Sequence, residues 1–237
     1  MVFRLSKITR ISASAILLAA TASSSAEFDL QLGASSEYVR QGIKESSSTP
    51  TLHAGITYSH QSGLYAGSWL TQVNRRKDKT QAEIDYYAGW YLPVTTSIAT
   101  DLGYTRYTFH GDKVTDPQAY GEGFFNLLLW DSLTLGYRHS DNFKDSDEEL
   151  QTLEIAQTFI GEEFSFELSA RQYRYLKLSD KANFGSGTHD DYFHFRLGVA
   201  RSFGDSDISL SLERTNLGDE FDGNTQILLD YNRHFSF

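Results

Sequence analysis

The tightest grouping of residues able to do chemistry is His189, Asp190, Asp191 and His194. Imidazoles and carboxylates so placed suit either a divalent cation or an acid–base pair of the kind hydrolases use. A solvated loop edge followed by one inward-facing histidine accounts for the same loose spacing. The remaining histidines, at 53, 60, 110, 139 and 234, are scattered. The run Asp141–Glu149 (DNFKDSDEE) has five acids and one Lys, but lacks the Gly and ligand spacing of a calcium loop. Arg75–Lys79 (RRKDK) is a basic tip, suited either to phosphate groups such as those of lipopolysaccharide or simply to water. No H-E-x-x-H, G-x-S-x-G, P-loop or dinucleotide glycine pattern is present, and there is no Cys. The expectation is no catalytic residue, no metal site and no cofactor.

The informative charges belong to a different pattern. From Phe28 onward apolar residues alternate with polar ones, as in Leu52, Ala54, Ile56 and Tyr58 against Thr51, His53, Gly55 and Thr57. Successive side chains of a strand face opposite ways, so this period predicts strands with one apolar and one polar face. Twelve segments follow it: 28–34, 52–58, 64–73, 84–92, 98–109, 119–130, 133–139, 150–159, 164–175, 191–203, 208–215 and 225–237. Their connections alternate between tight turns, such as Gln61–Gly63 and Pro93-Val94, and longer polar loops, such as Val39–Thr49 and Leu176–Asp190. An even strand number with short turns at one end and long loops at the other predicts a transmembrane antiparallel up-and-down β-barrel over residues 27–237.

Composition supports that reading. Residues 1–26 have a basic start (Arg4, Lys7, Arg10), a short apolar stretch and a small-residue end at Ser24-Ser25-Ala26, which predicts a removable secretory signal. Its loss removes three of 21 bases and none of 31 acids, taking the net charge from −10 to −13. That balance argues against a nucleic-acid partner. The apolar parity carries only Arg106, Arg174, Arg201, Arg214 and Arg233, all near strand ends where a long stem reaches the interface. Two aromatic girdles are expected: Tyr65, Trp90, Trp130, Phe159, Phe164, Phe203 and Phe237 by the short turns, and Tyr38, Tyr86, Tyr104, Tyr137 and Tyr175 by the long loops.

The stretches Ser36–Ile43 (SSEYVRQGI without its first Ser), Tyr58–Trp69 (YSHQSGLYAGSW) and Glu83–Gly89 (EIDYYAG) resemble motifs of the TorF-type porins, a proteobacterial outer-membrane family. The likeness is clearest over residues 34–107 and implies an outer-membrane barrel that forms a pore. The last strand ends in Tyr231, Phe235 and Phe237 on one parity, similar to the signal read by outer-membrane assembly machinery.

If the polar parity lines a lumen, its charges are Asp29, Glu37, Glu83, Asp85, Asp101, Glu122, Glu154, Glu167, Glu213 and Asp230 against Arg138, Arg171 and Arg196, with His53 and His194 among them. Such an excess of acids predicts a weak preference for cations. The competing expectation is that acids and bases pair across the interior and partly fill it. Inner Gly33, Gly55, Gly103, Gly136, Gly198, Ser209 and Ser211 suggest open space. The reading is a monomeric outer-membrane channel passing small solutes in contact with lipid and lipopolysaccharide. Alternatives are a closed barrel whose loops bind a partner, and a barrel-embedded hydrolase.

Overall fold

The computed structural model describes residues 26–75, 79–111, 119–144, 148–177, 190–217 and 224–237. The segment read as a secretory signal and His189 lie outside them. Among the described residues there are fourteen strands: β1 (Glu27–Ser35), β2 (Val39–Arg40), β3 (Ile43–Lys44), β4 (Thr51–Ser59), β5 (Leu64–Gln72), β6 (Ala82–Pro93), β7 (Ile98–His110), β8 (Tyr120–Leu129), β9 (Leu133–Phe143), β10 (Glu148–Ile160), β11 (Phe164–Lys177), β12 (Asp191–Phe203), β13 (Ser206–Thr215) and β14 (Gln226–Ser236). Twelve of them form a closed antiparallel barrel in which each strand pairs with its neighbours in sequence and β1 pairs with both β4 and β14. The seam runs from Asp29 opposite Ser236 to Ser35 opposite Asp230. At its end the Phe28 and Phe237 backbones exchange hydrogen bonds of 3.2 and 2.9 Å. The barrel wall therefore closes on itself, the condition a sheet must meet inside hydrocarbon.

The outside is apolar. Leu52, Ile56, Leu102, Ile155, Leu168, Phe195, Leu210 and Leu229 are all exposed, in a belt far larger than a water-soluble monomer tolerates. The inside takes the opposite parity, so Glu83, Asp85, Asp101, Glu122, Arg171, Arg196, Glu213 and Asp230 are buried. The five arginines of the apolar parity stay exposed on the outer face.

Two features differ from the sequence expectation, and a third concerns a segment whose course the sequence leaves open. Trp90, Trp130, Phe159, Phe164, Phe203, Phe237, Tyr86, Tyr104 and Tyr137 face outward, but Tyr38, Tyr65 and Tyr175 are buried inside. Tyr65 shares its parity with Gly67 and gives its hydroxyl to an interior carboxylate, whereas Tyr175 packs edge-on to Phe143 at 5.9 Å inside the long-loop end. Strand β9 runs on to Phe143, through residues expected to loop, because Phe143 packs on Tyr120 at 4.8 Å. A register shift at Glu149/Leu150 in β10 then turns Leu150 into the same interior cluster.

The third feature is the hairpin β2–β3, within the segment Val39–Thr49 whose inward or outward course the sequence leaves open. The chain leaves the wall after the Ser36 N–H bonds the Leu229 carbonyl at 2.8 Å. It then folds into the barrel rather than out into water. Gln41 and Gly42 have φ of 54° and 77°, so the two-residue connection uses left-handed backbone at both central positions, as the tightest hairpin turns require.

Candidate functional site

The hairpin crosses the interior from wall to wall. On one side Arg40 reaches β6–β8, with its Nε 3.3 Å from Glu83 and its Cζ 4.6 Å from the centre of the Tyr107 ring. On the other side the Tyr192 hydroxyl donates to the Gln41 carbonyl at 3.1 Å and the Gln226 amide donates to the Gly42 carbonyl at 3.0 Å. The return limb is fixed as well. The Asn74 N–H bonds the Glu45 carbonyl at 3.3 Å, and the Arg75 guanidinium pairs with the Glu45 carboxylate. Burial works against the charge of Arg75, but Glu45 overrides it and holds the guanidinium above its ordinary value. Arg75 is thus drawn inward, against the Phe109 ring at 4.7 Å, rather than standing at a basic tip in water.

Glu37 is part of this inward segment and not of a wall strand. It pairs with Lys44 at 3.1 Å and accepts the Ser48 N–H at 2.7 Å. The other charges fall on the wall in two kinds of surroundings. From β8 to β13 they alternate in sign and pair: Arg138 with Glu122 at 3.5 Å, Arg171 with Glu154 at 2.6 Å, and Arg196 with Glu167 at 3.5 Å and with Glu213. The ladder register sets this, since Glu154 lies directly opposite Arg171 and Arg196 directly opposite Glu213. His194 joins the same belt, 3.0 Å from Glu213.

Across the barrel the acids have neutral partners. Asp101 accepts from the Tyr65 hydroxyl at 2.7 Å and from the Asn126 amide at 3.3 Å. Asp230 accepts from Ser35 and, at 3.4 Å, from Ser209. Asp29 accepts from Ser236 at 3.2 Å, and His53 shares a 2.7 Å hydrogen bond with Asn232 while stacking on Trp69. One Asp85 oxygen has no hydrogen-bond partner among the described residues.

The inner glycines do not leave open space. Trp69 lies across Gly55, Tyr87 across Gly67, Tyr65 across Gly89 and Phe124 across Gly103, each ring coming from the residue directly opposite in the ladder. A Cβ at any of the four would collide with the ring, so glycine here lets bulky aromatics lie flat on the wall. A cavity of about 130 Å³ remains, roofed by Tyr38, Arg40 and Gln41 and walled by Asp29, His53, Trp69, Asp85, Tyr87, Glu122, Arg138 and Asp230. That is room for several waters.

Sequence reasoning misplaced Arg75 and missed Arg40 and the interior cluster of Phe109, Tyr120, Phe143, Tyr173 and Tyr192. The usable signal for Arg40 was the dipeptide Gln41-Gly42 between two short alternating pairs, a hairpin pattern hidden in a long loop. His194 forms no acid–base cluster beyond its Glu213 contact, and no group of three or more metal-ligating side chains occurs among the described residues.

Residues 19–216 match the family model described as "Bacterial protein of unknown function (Gcw_chp)". The chain belongs to this family. No curated protein matches it by sequence. Solved structures similar to this Gcw_chp member include the NanC porin, at 12% identity and a TM-score of 0.58 over 86% of this chain and 97% of that one. The KdgM porin is similar at 8% identity and a TM-score of 0.52, covering 89% and 99% of the two chains. KdgM in complex with disordered oligogalacturonate gives 7% identity and a TM-score of 0.50, over 89% and 98%. Identities this low speak for the shared barrel alone.

Proposed function

We propose that the protein is an outer-membrane channel that passes small hydrophilic solutes or ions passively, with a weak preference for cations. The observation that carries this is the two-sided wall: an apolar belt outside, and inside it a polar interior with a cavity under the hairpin. Termini and short turns then face the periplasm and the long loops face outward, toward lipopolysaccharide. The fold shared with two porins and the motif resemblance to the TorF-type porins support the same reading. Tyr231 and Phe235 of β14, with Phe237 just after it, are the proposed mark for the assembly machinery, and the chain works as a monomer.

The preference for cations follows from which charges are already matched. Arg138, Arg171 and Arg196 each hold a carboxylate, so little positive field is left to attract an acidic sugar of the kind the KdgM complex names. Asp29, Asp85, Asp101 and Asp230 have no Lys or Arg within 4.0 Å among the described residues. Planar-bilayer recording tests this: stepwise conductance with a cation-selective reversal potential is expected, and Asp85→Lys or Asp101→Lys should reduce that selectivity. An unchanged reversal potential in both variants would reject the assignment of these carboxylates to the ion path.

The hairpin favours a second reading, a closed barrel whose loops bind a surface partner. It is anchored on both walls, over the cavity. Electrical silence of folded protein in the same bilayer, with heat-modifiable gel migration showing an intact barrel, would select that reading.

A further inference from the structure

Arg138, Arg171 and Arg196 grow from the wall, but Arg40 is delivered by the hairpin to a place the wall has built. Its Cζ sits 4.6 Å from the Tyr107 ring centre, 5.1 Å from Tyr120 and 5.3 Å from Phe109. Its Nε is 3.3 Å from a Glu83 oxygen. Three rings and a carboxylate are the surroundings that hold a delocalised or alkylated cation, because the ring quadrupole attracts it and its weak hydration is easily given up. Sodium, compact and strongly hydrated, has less to gain there. Every element of this cage belongs to β6, β7 and β8; only the occupant belongs to the hairpin. Asp85, two residues from Glu83 on the same face, adds a buried carboxylate with one oxygen unpartnered among the described residues.

We propose that the cage of Glu83, Tyr107, Phe109 and Tyr120 is a binding site for organic cations of the guanidinium type, and that Arg40 is its tethered occupant. A free guanidinium-bearing solute competes with Arg40, and its binding releases the hairpin from the β6–β8 wall. The widening of the bore that follows rests on the channel reading above; the binding does not. The competitor works against the millimolar effective concentration that a short tether confers, so it acts at millimolar levels or above.

The chain has no Cys, so Val39→Cys supplies a single thiol beside Arg40 at a position only 4% exposed. In detergent-solubilised barrel, ethylguanidinium chloride should raise its rate of labelling by a small thiol reagent several-fold over the same concentration of sodium chloride. With Arg40→Gln added, labelling should be fast in both salts. Equal rates for Val39→Cys in the two salts overturn the proposal, as does slow labelling after Arg40→Gln. Bilayer recording of the unsubstituted chain separates the two claims. A labelling response without any conductance defeats the channel and leaves the site; conductance without a labelling response defeats the site and leaves the channel.

Discussion

On the β9–β13 side of the interior, arginines from one strand face carboxylates from the next, whereas on the β4–β7 side rings lie flat across glycines and Asp101 meets a hydroxyl and an amide. Both sides obey the same alternation, and both line a space intermediate between a small barrel filled by side chains and the wide bore of a large one. Paired charges cancel one another's field. Rings on glycines bring no cation with them, and Asp101 meets only the Tyr65 hydroxyl and the Asn126 amide among the bonds described. The hairpin joins the halves in the complementary sense: its cation goes to the acidic, aromatic wall and its turn carbonyls go to donors on the opposite one.

The sharpest way to break this contrast is to remove one partner from the charged half. Arg196→Ala leaves Glu167 and Glu213 facing each other in a buried belt, at an expected cost of about 3–5 kcal/mol in urea unfolding from lipid vesicles. A loss below about 1 kcal/mol would mean that water screens the belt, and that its pairing is incidental to stability. In the aromatic half, Gly55→Val drives a side chain into Trp69 and should cost about 1–3 kcal/mol by overpacking. Combining it with Trp69→Ala should recover part of that loss, because the two residues share one space. Tyr65→Phe is smaller again. It removes one neutral donor from Asp101, which keeps Asn126, so about 1–2 kcal/mol is expected in the same assay.

The sequence discloses the two halves unequally. All twelve wall strands were legible because hydrocarbon outside and polar groups inside impose a period of two along each of them, as in Leu52–Tyr58. The lumen face of Glu83, Asp101 or Arg196 follows from the same period. Pairing was not legible, since it depends on ladder register: Glu154 meets Arg171 only because β10 and β11 align them. The interior place of Tyr65 was obscured for a different reason. Tyrosine is amphipathic, so one near a strand end fits an interfacial girdle as well as a lumen carboxylate. Arg40 lies in a stretch whose length alone says only "loop", and nothing local states that a loop turns inward. Its destination is set by Glu83 and three rings far along the chain.

The outer surface supplies the smallest expected effect and the control for the others. Arg201 sits near the short-turn end of β12, with its guanidinium 3.2 Å from Glu163 and both side chains more than half exposed. The pair resembles Arg171–Glu154 as a contact but not as an environment, because water can solvate either partner once the other is gone. Arg201→Ala should therefore change unfolding stability by no more than about 0.5 kcal/mol, and salt should erase even that. Its guanidinium also lies 5.4 Å from the centre of the exposed Phe164 ring. A loss approaching that of Arg196→Ala would show that the β12 end is held in a low-dielectric layer. The contrast between buried and exposed pairs would then have to be redrawn at the membrane boundary rather than at the lumen wall.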